Sequence, residues 1–124
     1  MPILKPSDSP TFTIPGAIFT GLASPSRGSV ETSVWRVRLE PGTPGLPHRL
    51  TREEIFVVIA GSARAAVGGE AHTLTAGCTL IVPPHVEFSL ANDGPTAFEA
   101  LALMPVGGAA VVGNDAPFTP PWLA

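Results

Sequence analysis

Few side chains in this 124-residue chain could carry chemistry, and most of them fall in two short windows. Pro41–Gly61 reads PGTPGLPHRLTREEIFVVIAG and holds His48 and Glu54; Gly77–Asn92 reads GCTLIVPPHVEFSLAN and holds Cys78 and His85. An imidazole close to a carboxylate can bind a divalent ion, pass a proton as an acid–base dyad, or anchor a polar group of a ligand. A catalytic metal held by protein needs at least three ligands and an open position, and these windows supply two candidates. Side chains two apart on a strand share a face. Leu50 therefore points the same way as His48, and Phe56, Val58 and Ala60 the same way as Glu54. A carboxylate in such apolar company must be paired, or its pKa rises until it is neutral. His48 is the expected partner.

The remaining candidates read as structural. His85 stands three residues from Phe88, which places it on the opposite face unless the turn redirects it. His72 follows the Gly68-Gly69 turn and is expected at the surface. Cys78 has no cationic neighbour in sequence to depress its pKa, so a buried, inert thiol is expected. Asn92 is placed to cap a turn through its side chain. Arg36 and Arg38 alternate outward as a solvated or interfacial face, and Pro120-Pro121-Trp122 reads as a packed tail before it reads as a peptide ligand.

These residues must be positioned by strands. Fifteen prolines and thirteen glycines cut the chain into pieces too short for ordinary helices, and the pieces are rich in Val, Ile, Leu, Phe and Thr. Strands are predicted over Phe12–Ile14, Ala17–Ala23, Ser33–Leu39, His48–Leu50, Glu54–Ala60, Ala63–Val67, Ala71–Thr73, Thr79–Val82, Phe88–Leu90 and Ala97–Met104. Trp35, Val37 and Leu39 share one face of theirs. Turn signals separate them at Pro41-Gly42, Gly68-Gly69, Pro83-Pro84 and Asp93-Gly94-Pro95. Many short strands with frequent turns define a sandwich or barrel.

The length fits one domain over residues 1–124, with a loose arm over 1–10 and a Pro-rich tail over 114–124 that lies extended on the barrel surface. Hydrophobic content of 44% with 14% charge excludes a disordered chain. The net charge is −3 and its seven basic residues are scattered, which argues against nucleic acid and anionic membranes as partners. No apolar run approaches the ~20 residues of a membrane helix, and the N-terminus lacks a signal-peptide pattern. With a single cysteine, a cytoplasmic location is expected.

From Gly42 the first window runs G-x5-H-x-L-x3-E-x6-G, and from Gly77 the second runs G-x5-P-x-H-x2-F-x3-N. These resemble the two motifs of the cupin superfamily, G-x5-H-x-H-x3-4-E-x6-G and G-x5-P-x-G-x2-H-x3-N. The resemblance is to small single-domain cupins of type 2, with a degenerate metal motif. It implies an all-β fold, the cupin jelly roll or double-stranded β-helix barrel. In cupins three His and one Glu inside the barrel hold a divalent metal. His48 and Glu54 match two of these, while Leu50 and Phe88 replace the other two. His85 stands where the motif has glycine, so either the turn has changed type or His85 is held at positive φ near the cavity mouth.

The resemblance implies a ligand pocket formed by Trp35, His48, Leu50, Glu54, Phe56, Phe88 and Met104, with Val58, Leu80, Leu90 and alternate residues of Phe98–Met104 nearby. The leading function is binding of a small, mostly apolar organic molecule, with no cofactor and no full metal site. The alternative is a metal-dependent dioxygenase or isomerase with a reduced ligand set, its metal at His48 and Glu54. Metal-free members such as sugar-nucleotide epimerases use a His with a carboxylate for proton transfer; equally, His48 and Glu54 could be a structural remnant. Whether the protein is an enzyme is left open, and no catalytic residue is assigned. Ile55, Val57 and Ile59 form the apolar back of the Glu54 strand, and a homodimer packed on this face is expected.

Overall fold

The computed structural model describes all 124 residues. Eleven strands run in chain order: β1 (Thr11–Ile14), β2 (Ala17–Ala23), β3 (Thr32–Leu39), β4 (Arg49–Leu50), β5 (Glu54–Ala60), β6 (Ser62–Val67), β7 (Glu70–Thr75), β8 (Thr79–Val82), β9 (Phe88–Ala91), β10 (Phe98–Pro105) and β11 (Ala110–Val111). Helix is limited to three single 3-10 turns at Pro6–Asp8, Pro25–Arg27 and Pro121–Leu123, each beginning at a proline. No helix is long and apolar enough to cross a membrane.

The strands form an antiparallel jelly roll. One sheet has the order β1-β2-β3-β10-β5-β8, and the facing sheet has the order β7-β6-β9. The β4–β11 pair is brought beside β9 by His48 and Phe88, which exchange backbone hydrogen bonds of 3.0 and 2.8 Å. Alternation decides the faces: Ser33, Trp35, Val37 and Leu39 turn inward from β3, and Phe98, Ala100, Ala102 and Met104 from β10. The register pairs Trp35 with Ala102 and Val37 with Ala100, a large residue beside a small one on the same inner face.

Two motif positions show why their residue types matter. Gly61 has φ of +73°, and a Cβ there would lie 2.2 Å from the carbonyl oxygen of Ala97, so only glycine fits between β5 and β6. Asn92 is fully buried and spends its whole amide on the loops at the end of the barrel. Its Nδ2 donates to the carbonyls of Leu39 and Thr96, both at 2.9 Å, and its Oδ1 accepts from the Gly94 amide at 3.0 Å. The Leu39 bond ties β9 of one sheet to β3 of the other.

Several expectations are adjusted by the tertiary structure. β11 was not foreseen: two apolar residues flanked by Ala109 and Val112 carry no period of their own. His85 keeps the positive φ of the motif glycine, at 66°, and its amide donates to the carbonyl of Leu50 at 2.7 Å. The turn has not changed type, and His85 is exposed outside the cavity. Cys78 is half-buried rather than buried, and hydrogen bonds from the Thr75 backbone and hydroxyl hold its thiol below the ordinary value. In the tail, residues 114–119 are exposed. Phe118 pairs with Ala110, and the 3-10 turn that follows buries Leu123.

Candidate functional site

A cavity of about 760 Å³ opens between the two sheets. β3 supplies Trp35, Val37 and Leu39; β4 and the chain before it supply Leu50, Leu46 and His48; β5 supplies Glu54 and Phe56; β9 supplies Phe88 and Leu90. The C-terminal segment closes one wall with Phe118, Pro120, Pro121, Trp122 and Leu123. The indole of Trp122 stacks on Phe19, with ring centroids 3.8 Å apart and planes 6° from parallel. The Ser33 hydroxyl donates to the carbonyl of Leu123 at 2.8 Å, and the Ser26 hydroxyl to that of Ala124 at 2.8 Å, so the wall is anchored at its end.

Glu54 and His48 are the only titratable side chains on the wall. Glu54 begins β5 with its carboxyl turned inward, at 4% exposure, and its Oε1 has no hydrogen-bond partner. Burial alone pushes its pKa up from 4.5 to about 8, because the charged form loses its water and gains no counter-charge. At neutral pH it is therefore mainly a carboxylic acid. His48 does not pair with it. Its Nδ1 lies 2.8 Å from the carbonyl of Leu46, and its ring tilts against Phe88 with centroids 4.4 Å apart. A carbonyl can only accept, so Nδ1 carries the proton and Nε2 of the neutral ring is left as an acceptor. The expected His48–Glu54 pair is thus replaced by two separate polar groups. A local backbone carbonyl two residues away satisfies the imidazole at less conformational cost.

Of the residues expected to form the pocket, Trp35, His48, Leu50, Glu54, Phe56 and Phe88 do line the cavity, as does Leu90. Met104 does not. It is fully buried outside the lining, beside Ser33, and its sulfur lies 2.7 Å from the point a Cβ on Gly108 would occupy. Val58, Leu80 and the inward residues of β10 also lie outside the lining. The tail residues and Thr43 were missed. The tail's signal was its own apolar content, Phe118, Trp122 and Leu123 among prolines, which is costly to leave in water.

The donor set can be tested for a metal. Glu54 Oε1 has a free valence, but Leu50 and Phe88 present carbon on the same wall, and no three His, Cys, Asp or Glu side chains gather anywhere in the molecule. Two protein donors fall short of the three that a catalytic metal needs. The residues present do not fit a metal held by this chain alone.

The fold and its inward His and Glu define the class: a single-barrel jelly roll with a cavity between its sheets. The chain belongs to the cupin family, whose domain model matches residues 35–104. The polyketide cyclase RemF from Streptomyces resistomycificus has a similar structure, with a TM-score of 0.80 at 14% identity over 97% of this chain and 89% of that one. An RmlC-like cupin from Shewanella frigidimarina is similar at a TM-score of 0.71 and 20% identity, over 82% of this chain and 87% of that one. The salicylate 1,2-dioxygenase from Pseudoaminobacter salicylatoxidans, in its adducts with gentisate, matches at a TM-score of 0.72 and 20% identity, over 86% of this chain but 31% of that one. No curated protein sequence matches the chain. Likeness at these identities extends to the fold, and the chemistry of the neighbours differs from one to the next.

Proposed function

We propose that the barrel binds a small, mostly apolar organic molecule, with Glu54 and His48 as its polar anchors. The observation that carries this reading is the carboxyl of Glu54, buried on the wall of an apolar cavity with an oxygen that no protein group satisfies. A buried polar atom left without a partner costs about 1–3 kcal/mol, and a ligand hydrogen bond removes that cost. The cavity is also of the size, ~300–1,000 Å³, that small-molecule sites occupy. A cyclase and a dioxygenase among the similar structures support a small organic ligand in this barrel.

The test is thermal shift with a panel of phenols, ketones and carboxylic acids on the wild type and Glu54→Gln. A ligand supplied at a hundredfold its Kd stabilises the native state by about 2.7 kcal/mol, which is a shift of several degrees. Hits whose shifts shrink in Glu54→Gln support the reading. A panel with no hits, or hits identical in both proteins, rejects it.

No resident metal belongs to this reading. The metal-dependent alternative makes a different prediction, stoichiometric metal in protein purified without a chelating tag, which elemental analysis would detect. The protein is further proposed to act as a single-domain, cytoplasmic homodimer. Val57 and Ile59 are 37% and 42% exposed on the outer face of β5, and Ile81 of β8 extends that face at 56%. Val57→Glu should give a monomer or an aggregate in light scattering, because burying an unpaired charge opposes association.

A further inference from the structure

We infer that the ligand is an uncharged ring compound bearing a hydroxyl group, a phenol or an enol, and that carboxylates and phosphates are excluded. This rests on the binding reading above and narrows it to a chemical class.

Charge is the first argument. No Lys or Arg lines the cavity, although the chain carries seven such residues. Those nearest in sequence point away from it: Arg36 and Arg52 are exposed outside the lining. Arg49, between His48 and Leu50, turns away and donates to the carbonyl of Gly113 at 3.0 Å. Arg38 is on the outer face of β3, bound to Glu40 at 3.0 Å and close to Glu99 at 3.6 Å. An anion brought inside would lose its water and find no cation.

Hydrogen-bond polarity is the second. The Nδ1 proton of His48 is spent on Leu46, so its other nitrogen accepts. The carboxyl of Glu54 has no protein partner at Oε1, and as the acid it is at neutral pH it can both donate its O–H and accept. A wall that sets an acceptor beside a carboxylic acid is matched by a ligand group that donates to the one and accepts from the other, and a hydroxyl is the uncharged group that does both at one atom. Shape is the third: the faces and edges of Trp35, Phe56, Phe88 and Trp122 offer offset or edge contacts to a flat ring.

Three probes with one ring system separate these claims in calorimetry at pH 7: 2-naphthol, 2-naphthoate and 2-methoxynaphthalene. We expect 2-naphthol to bind at least about tenfold more tightly than either of the others, the worth of one well-made hydrogen bond or one avoided buried charge. Naphthoate binding as tightly as naphthol would overturn the exclusion of anions. Methoxynaphthalene binding as tightly would overturn the need for a donor. If all three probes and the whole thermal-shift panel fail, the binding reading itself falls; if the panel yields only carboxylates, that reading stands and the present inference is overturned.

A gain-of-function variant guards against a folding artefact. Leu46 is on the cavity wall yet 63% exposed, so Leu46→Arg places a cation at the mouth without disturbing the core. Its circular dichroism should match wild type, and its affinity for 2-naphthoate should rise about tenfold. A folded variant that gains nothing would show that the missing cation is not what excludes anions.

Discussion

The two halves of the barrel interior are built from the same alternating strands but end differently. On the side of β10, β6 and β8 the space is full. Phe98, Ala100, Ala102 and Met104 of β10, Ala65 of β6 and Val82 of β8 are all at 1% exposure or less. On the side of β3, β4, β5 and β9 the walls stand apart and enclose the cavity, although Trp35, Phe56 and Phe88 are larger residues. Size alone therefore does not fill a barrel; complementarity across it does. The only buried carboxyl lies in the hollow half, where a ligand could reach it, and the filled half holds none.

The comparison can be broken most directly by pH. Burial holds a proton on Glu54 in the folded state up to about pH 8, whereas the unfolded carboxyl releases it near 4.5. The folded state thus binds more protons across that window. Its stability should be full below pH 4.5, fall as pH rises, and level off above about 8. The slope approaches about 1.4 kcal/mol per pH unit. Urea titrations between pH 5 and 8 should show this decline in wild type and a flat profile in Glu54→Gln. A wild type as flat as the variant would place Glu54 in water and remove the distinction between the halves.

Packing provides the next largest effect. Ala102→Leu should cost about 1–3 kcal/mol, because Ala102 is fully buried between Trp35 and Phe56 and the added carbons must displace them. Val37→Phe, on the cavity wall of the hollow half, should cost less than about 1 kcal/mol and reduce ligand binding by occupying the space. Equal losses at the two positions would mean that the halves are packed alike.

The smallest effect concerns the wall contributed by the tail. Trp122→Ala removes the stack on Phe19, and should destabilise the protein by about 1 kcal/mol beyond the lost burial. It should also speed ligand release, measured as koff, since the hollow half loses its cover. Unchanged koff would make the tail a support of the fold with no part in the site.

The inward faces of the strands were legible because alternation has a period of two and needs no partner: Trp35, Val37 and Leu39 turn inward as their spacing required. The motif spacing likewise placed His48, Leu50, Glu54 and Phe88 on a common cavity. Met104 obeyed the same alternation and is buried, yet it lies away from the cavity. Period says which face a residue takes, not how far across the barrel the opposite wall stands. The outer apolar face of Ile55, Val57 and Ile59 could be read in the same way, but what covers it is a matter of a second surface.

Local pattern, then, determined the strands, their inner faces and the pair of polar side chains that enter the barrel. Tertiary structure alone decided that His48 bonds to Leu46 and leaves Glu54 unpartnered, since that choice depends on distances no spacing records. It also decided the course of the tail, whose Leu123 meets Ser33 ninety residues away in sequence. Contacts of that range form when the barrel has closed and offers apolar surface to cover, and nothing in the tail's own eleven residues, 114–124, specifies where that surface will be.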